Sequence, residues 1–152
     1  MDYLKLKDAL LKECHMVLDE KINQFQENIK RSQEALYENT KSTAGDKFET
    51  GRAMMQAEIN KAEAQLAKTI TLKKVLQTLG ITKILPSIDM GAIVITNRGN
   101  FFISVATGKV KVSNKTYFTM GGNAPLAQEF MGKYKGDKCG FNGIQYEILE
   151  VA

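Results

Sequence analysis

The stretch Asn39-Thr40-Lys41-Ser42-Thr43-Ala44-Gly45-Asp46-Lys47-Phe48-Glu49 interrupts a helical pattern that runs on both sides of it. Small polar side chains compete with the helix for backbone hydrogen bonds, and Gly leaves the chain too free to stay helical. The pattern restarts at Asp46. With a helix on each side, this break is the tip of an antiparallel hairpin. Two carboxylates, Asp46 and Glu49, stand on it.

The flanks support the hairpin. Upstream, Leu11, Cys14, Leu18, Ile22, Phe25, Ile29, Ser32 and Leu36 recur at spacings of three and four, the period of one helix face. No Pro or Gly occurs before Gly45, which implies one long helix. Downstream, Phe48, Gly51, Met55, Ile59, Ala62, Leu66 and Ile70 repeat the period, and Leu76 and Leu79 carry it to a stop at Gly80. Each helix has one narrow apolar stripe that water would penalise, so the two are expected to pair as a coiled coil within one chain, leaving a monomer. An arm of about 30 residues spans about 45 Å, longer than a small domain is wide, so the tip is expected to project. Met54 and Met55 read as packing and surface residues. Cys14 and His15 point about 100° apart on a helix and cannot share a metal.

After a connector over 81–90 that contains Pro86, the period changes. Short β-branched and aromatic runs, 91–96, 101–106, 109–113 and 116–119, alternate with turn residues. Pro125 near the start and Gly132 just past the end mark a short helix. Asn142-Gly143 is the favoured two-residue hairpin turn before a last strand, 146–151. The fold class expected is α+β: a helical hairpin over 1–80 with its tip at about 40–48, a linker over 81–90, and a small antiparallel sheet with one short helix over 91–152.

Bulk properties narrow the function. The 152 residues carry 25% charged and 43% apolar side chains, a globular balance. Nothing resembles a signal peptide or a membrane span, so a cytoplasmic location is expected. Cys14 and Cys139 lie far apart and suggest neither disulfide nor metal ribbon. The net charge of +4 is modest and argues against binding free duplex DNA.

Two motifs carry a resemblance. One is Asn123-Ala124-Pro125-Leu126-Ala127 through Met131-Gly132-Lys133, then Gly136-Asp137 and Tyr146-Glu147-Ile148-Leu149-Glu150-Val151; the other is Gly45-Asp46-Lys47-Phe48-Glu49. Together with the hairpin, they resemble the bacterial Gre transcript-cleavage factors. The resemblance implies an FKBP-like C-terminal domain that docks on RNA polymerase, with Pro125, Leu126, Gly132, Lys133 and Asp137 as candidate docking residues. It also implies a hairpin in the polymerase secondary channel. There Asp46 and Glu49 would help hold a Mg²⁺ and orient water while the polymerase cuts the backtracked RNA 3′ end. On this reading the chain is no enzyme itself and binds no cofactor alone. The chemistry suits the residue types: Mg²⁺ prefers hard oxygen ligands, two-metal hydrolysis needs a second placed ion, and carboxylates three apart on a helix share a face. Lys30, Arg31 and Lys41 approach the tip and are candidates to touch RNA phosphate, or form an ordinary solvated face.

Alternatives stay open. Asp46 with Glu49 also makes a capping box. Lys47, Phe48 and Thr50 stand where Gre tips usually carry an apolar residue, Ser and Asn, and Arg52 replaces a common acid. Such a tip fits a non-cleaving regulator of the secondary channel. A third reading is an FKBP-like prolyl isomerase with a helical arm.

Overall fold

A computed structural model describes residues 2–40, 45–79 and 83–152, with side chains described outside 39–50. Two long helices come first, α1 (Tyr3–Thr40) and α2 (Gly45–Thr78). Then follow β1 (Ile93–Thr96), β2 (Gly99–Ser104), β3 (Gly108–Val112), β4 (Lys115–Gly121), α3 (Pro125–Phe130), β5 (Lys138–Phe141) and β6 (Ile144–Val151). The architecture is α+β, a helical hairpin followed by a sheet with one short helix. The chain divides into two compact units: Met1–Val17 with Leu72–Ala152, and Leu18–Thr71. Among the described residues, no helix is long and apolar enough to cross a membrane.

In the first unit the sheet order is β3-β4-β2-β1-β6-β5. It is mixed rather than wholly antiparallel, because β2 and β4 run parallel. The cause is local. Residues 105–107 carry the chain past the position next to β2, and β4 then folds back from β3 into that position. Two strand spacings are about 9.6 Å, within reach of the four extended steps from Ser104 to Gly108. The β3–β4 turn has both Ser113 (φ 52°) and Asn114 (φ 65°) left-handed. The β5–β6 turn does the same with Asn142 (φ 50°) and Gly143 (φ 77°), the geometry that suits the strands' twist.

Alternation along the strands makes two buried faces. Val94, Phe101, Ile103, Cys139, Tyr146 and Ile148 share one core with Ala127 and Phe130 of α3 and with Ile88. Phe130 meets Phe101 and Tyr146 edge to face, with ring centroids 5.4 and 5.5 Å apart. On the opposite face Ile93, Phe102, Ser104, Tyr117 and Thr119 are buried too. The first turns of α1 meet this face: the Thr107 hydroxyl, 2.6 Å from that of Thr119, donates to Cys14 Sγ at 3.6 Å. Leu6, Leu10, Leu11 and Leu76 are buried in the same unit. Asp2 starts α1, its Oδ1 accepting from the amides of Leu4 and Lys5 at 3.1 and 3.2 Å.

In the second unit the apolar stripe of α1 lies where its spacing predicts, with Leu18 buried and Ile22, Phe25, Ile29, Ser32 and Leu36 half-buried. The stripe of α2 differs at one position. Thr69 is buried and Ile70 is 36% exposed. From Met55 the seam alternates four and three, through Ile59, Ala62 and Leu66, so the next inward position is 69. A threonine serves there because its hydroxyl bonds back to the Gln65 carbonyl at 2.8 Å.

Candidate functional site

The long helices run antiparallel in the second unit. Asn28, Arg31 and Ser32 of α1 face Glu58, Lys61, Ala62 and Gln65 of α2 across a groove of about 520 Å³. Nearer the break, Gln33, Leu36 and Tyr37 face Arg52, Gln56, Ile59 and Glu63. Both grooves are open and mostly polar, unlike the enclosed apolar clefts that hold small molecules. Chemistry on this unit therefore belongs to its surface and to the ends of its helices.

Asp46 and Glu49 lie at the start of α2, three positions apart; their side chains lie outside the described residues, as does the whole of Lys41. Asp46 and Glu49 are the second and fifth residues of α2. Lys30 and Arg31 are exposed on α1, and Arg31 Nη2 donates to Asn28 Oδ1 at 2.9 Å one turn earlier. Among the described residues, no cluster of three or more His, Cys, Asp or Glu could hold a metal.

The five candidate docking residues lie in the first unit, and each of them has work to do in the fold. Pro125 opens α3 after an extended Ala124, with no side-chain cap needed. Leu126 packs half-buried against the α3-side core. Gly132 ends the helix at φ 78°, and its amide donates to the Ile88 carbonyl at 2.8 Å. The Lys133 carbonyl accepts from the Ile88 amide at 2.9 Å, so this turn pins the incoming chain to α3. Asp137 Oδ2 accepts from the Tyr134 amide at 2.8 Å, and its carbonyl accepts from Ile148 at 2.9 Å. The motif residues thus shape one turn system at the end of α3, with the Lys133 side chain as its half-buried cation.

Neither thiol is poised for chemistry. Burial pushes Cys14 up, against the lowering effect of the Thr107 hydroxyl, and burial also raises Cys139. The aromatics Phe101, Phe130 and Tyr146 are buried against one another, so they form core rather than the wall of a peptide pocket.

No family model matches the chain, and no curated protein matches it. Among solved structures the chain is similar to the transcription factor Gfh1, with a TM-score of 0.38 and 14% identity over 92% of this chain and 94% of that one. A likeness of that size assigns no function.

Sequence reasoning missed the buried polar cluster of Cys14, Ser104, Thr107 and Thr119, whose members are scattered along the chain and carry no motif. It also missed Lys7, which is only 3% exposed and donates from Nζ to the Lys83 carbonyl at 3.2 Å. Its place four positions before Leu11 and seven before Cys14, on the same helix face, was the available signal.

Proposed function

We propose that this chain is a Gre-like transcription elongation factor that binds RNA polymerase and acts through its secondary channel, stimulating cleavage of backtracked RNA. One observation carries the reading: an antiparallel helical pair whose break places Asp46 and Glu49 three positions apart at the head of α2. Two carboxylates supply hard oxygen donors but too few to hold Mg²⁺ alone, so the ion would be shared with the polymerase. When bound there, it would supply the charge stabilisation and water activation of two-metal hydrolysis. The chain's own part is to deliver those two groups and to contact the RNA 3′ end with exposed cations such as Lys30 and Arg31. The turn system at the end of α3, with Lys133, is the proposed docking element.

The test is transcript cleavage by a backtracked bacterial RNA polymerase, with the wild-type chain and with Asp46→Asn/Glu49→Gln. Expected is RNA shortening with the wild type and a fall to the polymerase's own background with the variant, binding unchanged. A wild-type chain that binds polymerase yet leaves the RNA intact would establish the second reading, a non-cleaving channel regulator. The sequence feature favouring that reading is Lys47 beside Asp46, which repels a cation. A chain that does not bind polymerase ends both.

A further inference from the structure

From Met90 to Gln128 the chain has no Asp or Glu, while it carries Arg98, Lys109, Lys111 and Lys115. This stretch forms β1 to β4 and reaches into α3, so the segment that holds four of the six strands carries cations and no acid of its own. The acids of the sheet lie on β6: Glu150 is paired to Lys135 at 2.7 Å, and Glu147 is bonded through its backbone to Asn97 beside Arg98, away from Lys109 and Lys111.

An aromatic ring lies among these cations. Phe118 is 38% exposed although its strand neighbours Tyr117 and Thr119 are buried. Its inner side rests on Phe101, ring centroids 5.7 Å apart. Across the β3–β4 ladder Phe118 pairs with Lys109, and Thr116 with Lys111, so all four side chains stand on one face. Lys109 Nζ is 5.4 Å from the Phe118 centroid. Arg98 precedes Gly99, whose missing Cβ would lie 3.5 Å from the edge of the same ring. Lysines on an edge strand also discourage edge-to-edge pairing; that explains Lys109 and Lys111 but not a half-open ring between them.

We propose that this β3–β4 face is a binding surface for single-stranded nucleic acid, with a base stacked on Phe118 and phosphates met by Lys109, Lys111 and Arg98. The chemistry is that of strand-binding sheets: a π platform that accepts any base, beside cations that follow the backbone. Alternate residues on one strand stand about 6.6 Å apart, so Lys109 and Lys111 can meet successive phosphates of an extended strand. Lys109 moves from the ring to a phosphate at little expense, because an exposed cation–π contact is weak. An acidic protein segment would satisfy the cations but leave the ring without a planar partner. This surface is independent of the polymerase reading, since it uses neither Asp46 nor Glu49 nor the turn at the end of α3.

The test is fluorescence anisotropy of a labelled oligo-uridylate of about twelve nucleotides with the full chain. Three phosphate contacts predict a logarithmic salt slope of about −2.1, roughly an 18-fold loss of affinity from about 50 to 200 mM salt. Lys109→Glu/Lys111→Glu is expected to abolish binding. Phe118→Leu keeps an apolar contact with Phe101 and is expected to weaken binding about fivefold or more. Circular dichroism and the thermal midpoint of each variant establish that it is folded. The proposal falls if the oligonucleotide does not bind at low salt, or if the charge reversal or Phe118→Leu leaves affinity unchanged. It also falls if a polyglutamate peptide binds this face in place of the oligonucleotide, which would make it an acidic-protein surface.

Discussion

Phe130 and Ile29 are both large apolar residues on helices, yet Phe130 is fully enclosed and Ile29 is only half-buried. Phe130 belongs to the sheet unit, where α3 covers one face and the roots of the long helices cover the other. Ile29 belongs to the paired helices, where a single seam is all that either helix can hide. A helix pair gives most of its surface to water, so its outer residues are free of structural duty. The sheet unit uses even its motif residues, Gly132 and Asp137 among them, to close turns. Residues whose identity the fold does not explain therefore concentrate on the helical pair and on the open β3–β4 face.

Truncation at the two positions gives the largest expected difference. Phe130→Ala should cost about 3–5 kcal/mol, measured by denaturant unfolding, because two edge-to-face ring contacts and a filled core are lost. Ile29→Ala should cost about 1–2 kcal/mol, since half of the side chain already meets water. Equal costs would break the contrast between the units.

A smaller effect tests the polar side of the sheet unit. Thr107→Val removes the hydroxyl bonded to Thr119 and Cys14 and should cost about 1 kcal/mol. It should also raise the Cys14 thiol further, because that hydrogen bond favours the thiolate. Thiol titration followed by NMR reads the shift directly; no movement would mean that the contact is only steric.

Lys7 sharpens the comparison through pH. Burial lowers its pKa from 10.5. Between the lowered value and 10.5 the unfolded chain holds more protons than the folded one, so stability rises with pH across that window. Below it both states are protonated and the burial cost is fully present. Lys7→Met should stabilise the protein at neutral pH by about 1 kcal/mol and flatten the alkaline rise. An unchanged rise in the variant would assign it to another group.

Local patterns were legible wherever the physics was local. The α1 stripe from Leu11 to Leu36 could be read position by position, because a 3.6-residue period needs no partner to be seen. Asn142-Gly143 announced its turn, since both residues accept positive φ readily. Ser113-Asn114 adopts the same turn without a Gly, so the gap before Thr116 carried little signal. The α2 stripe slipped at Ile70 because hydrophobicity alone outranked the alternation set by the partner helix, which turns Thr69 inward. The parallel β2–β4 pair was not legible, since it follows from where β3 lands rather than from any residue. For the candidate site, the place of Asp46 and Glu49 near the start of a second long helix could be read from the sequence. The helix stop at Gly132 could be read as well; the backbone bonds from Gly132 to Ile88 and from Ile148 to Asp137 could not, because they join groups distant in sequence.

The Cys14–Thr107 contact joins residues 93 positions apart, and Lys7 reaches Lys83 across 76. On a ribosome the first turns of α1 emerge long before the strands that cover them. Their apolar face, Leu6, Leu10, Leu11 and Cys14, must wait uncovered until β4 has been synthesised. The sheet unit is complete only once β6 has been made as well, because β1 pairs with it and Tyr146 and Ile148 fill the core.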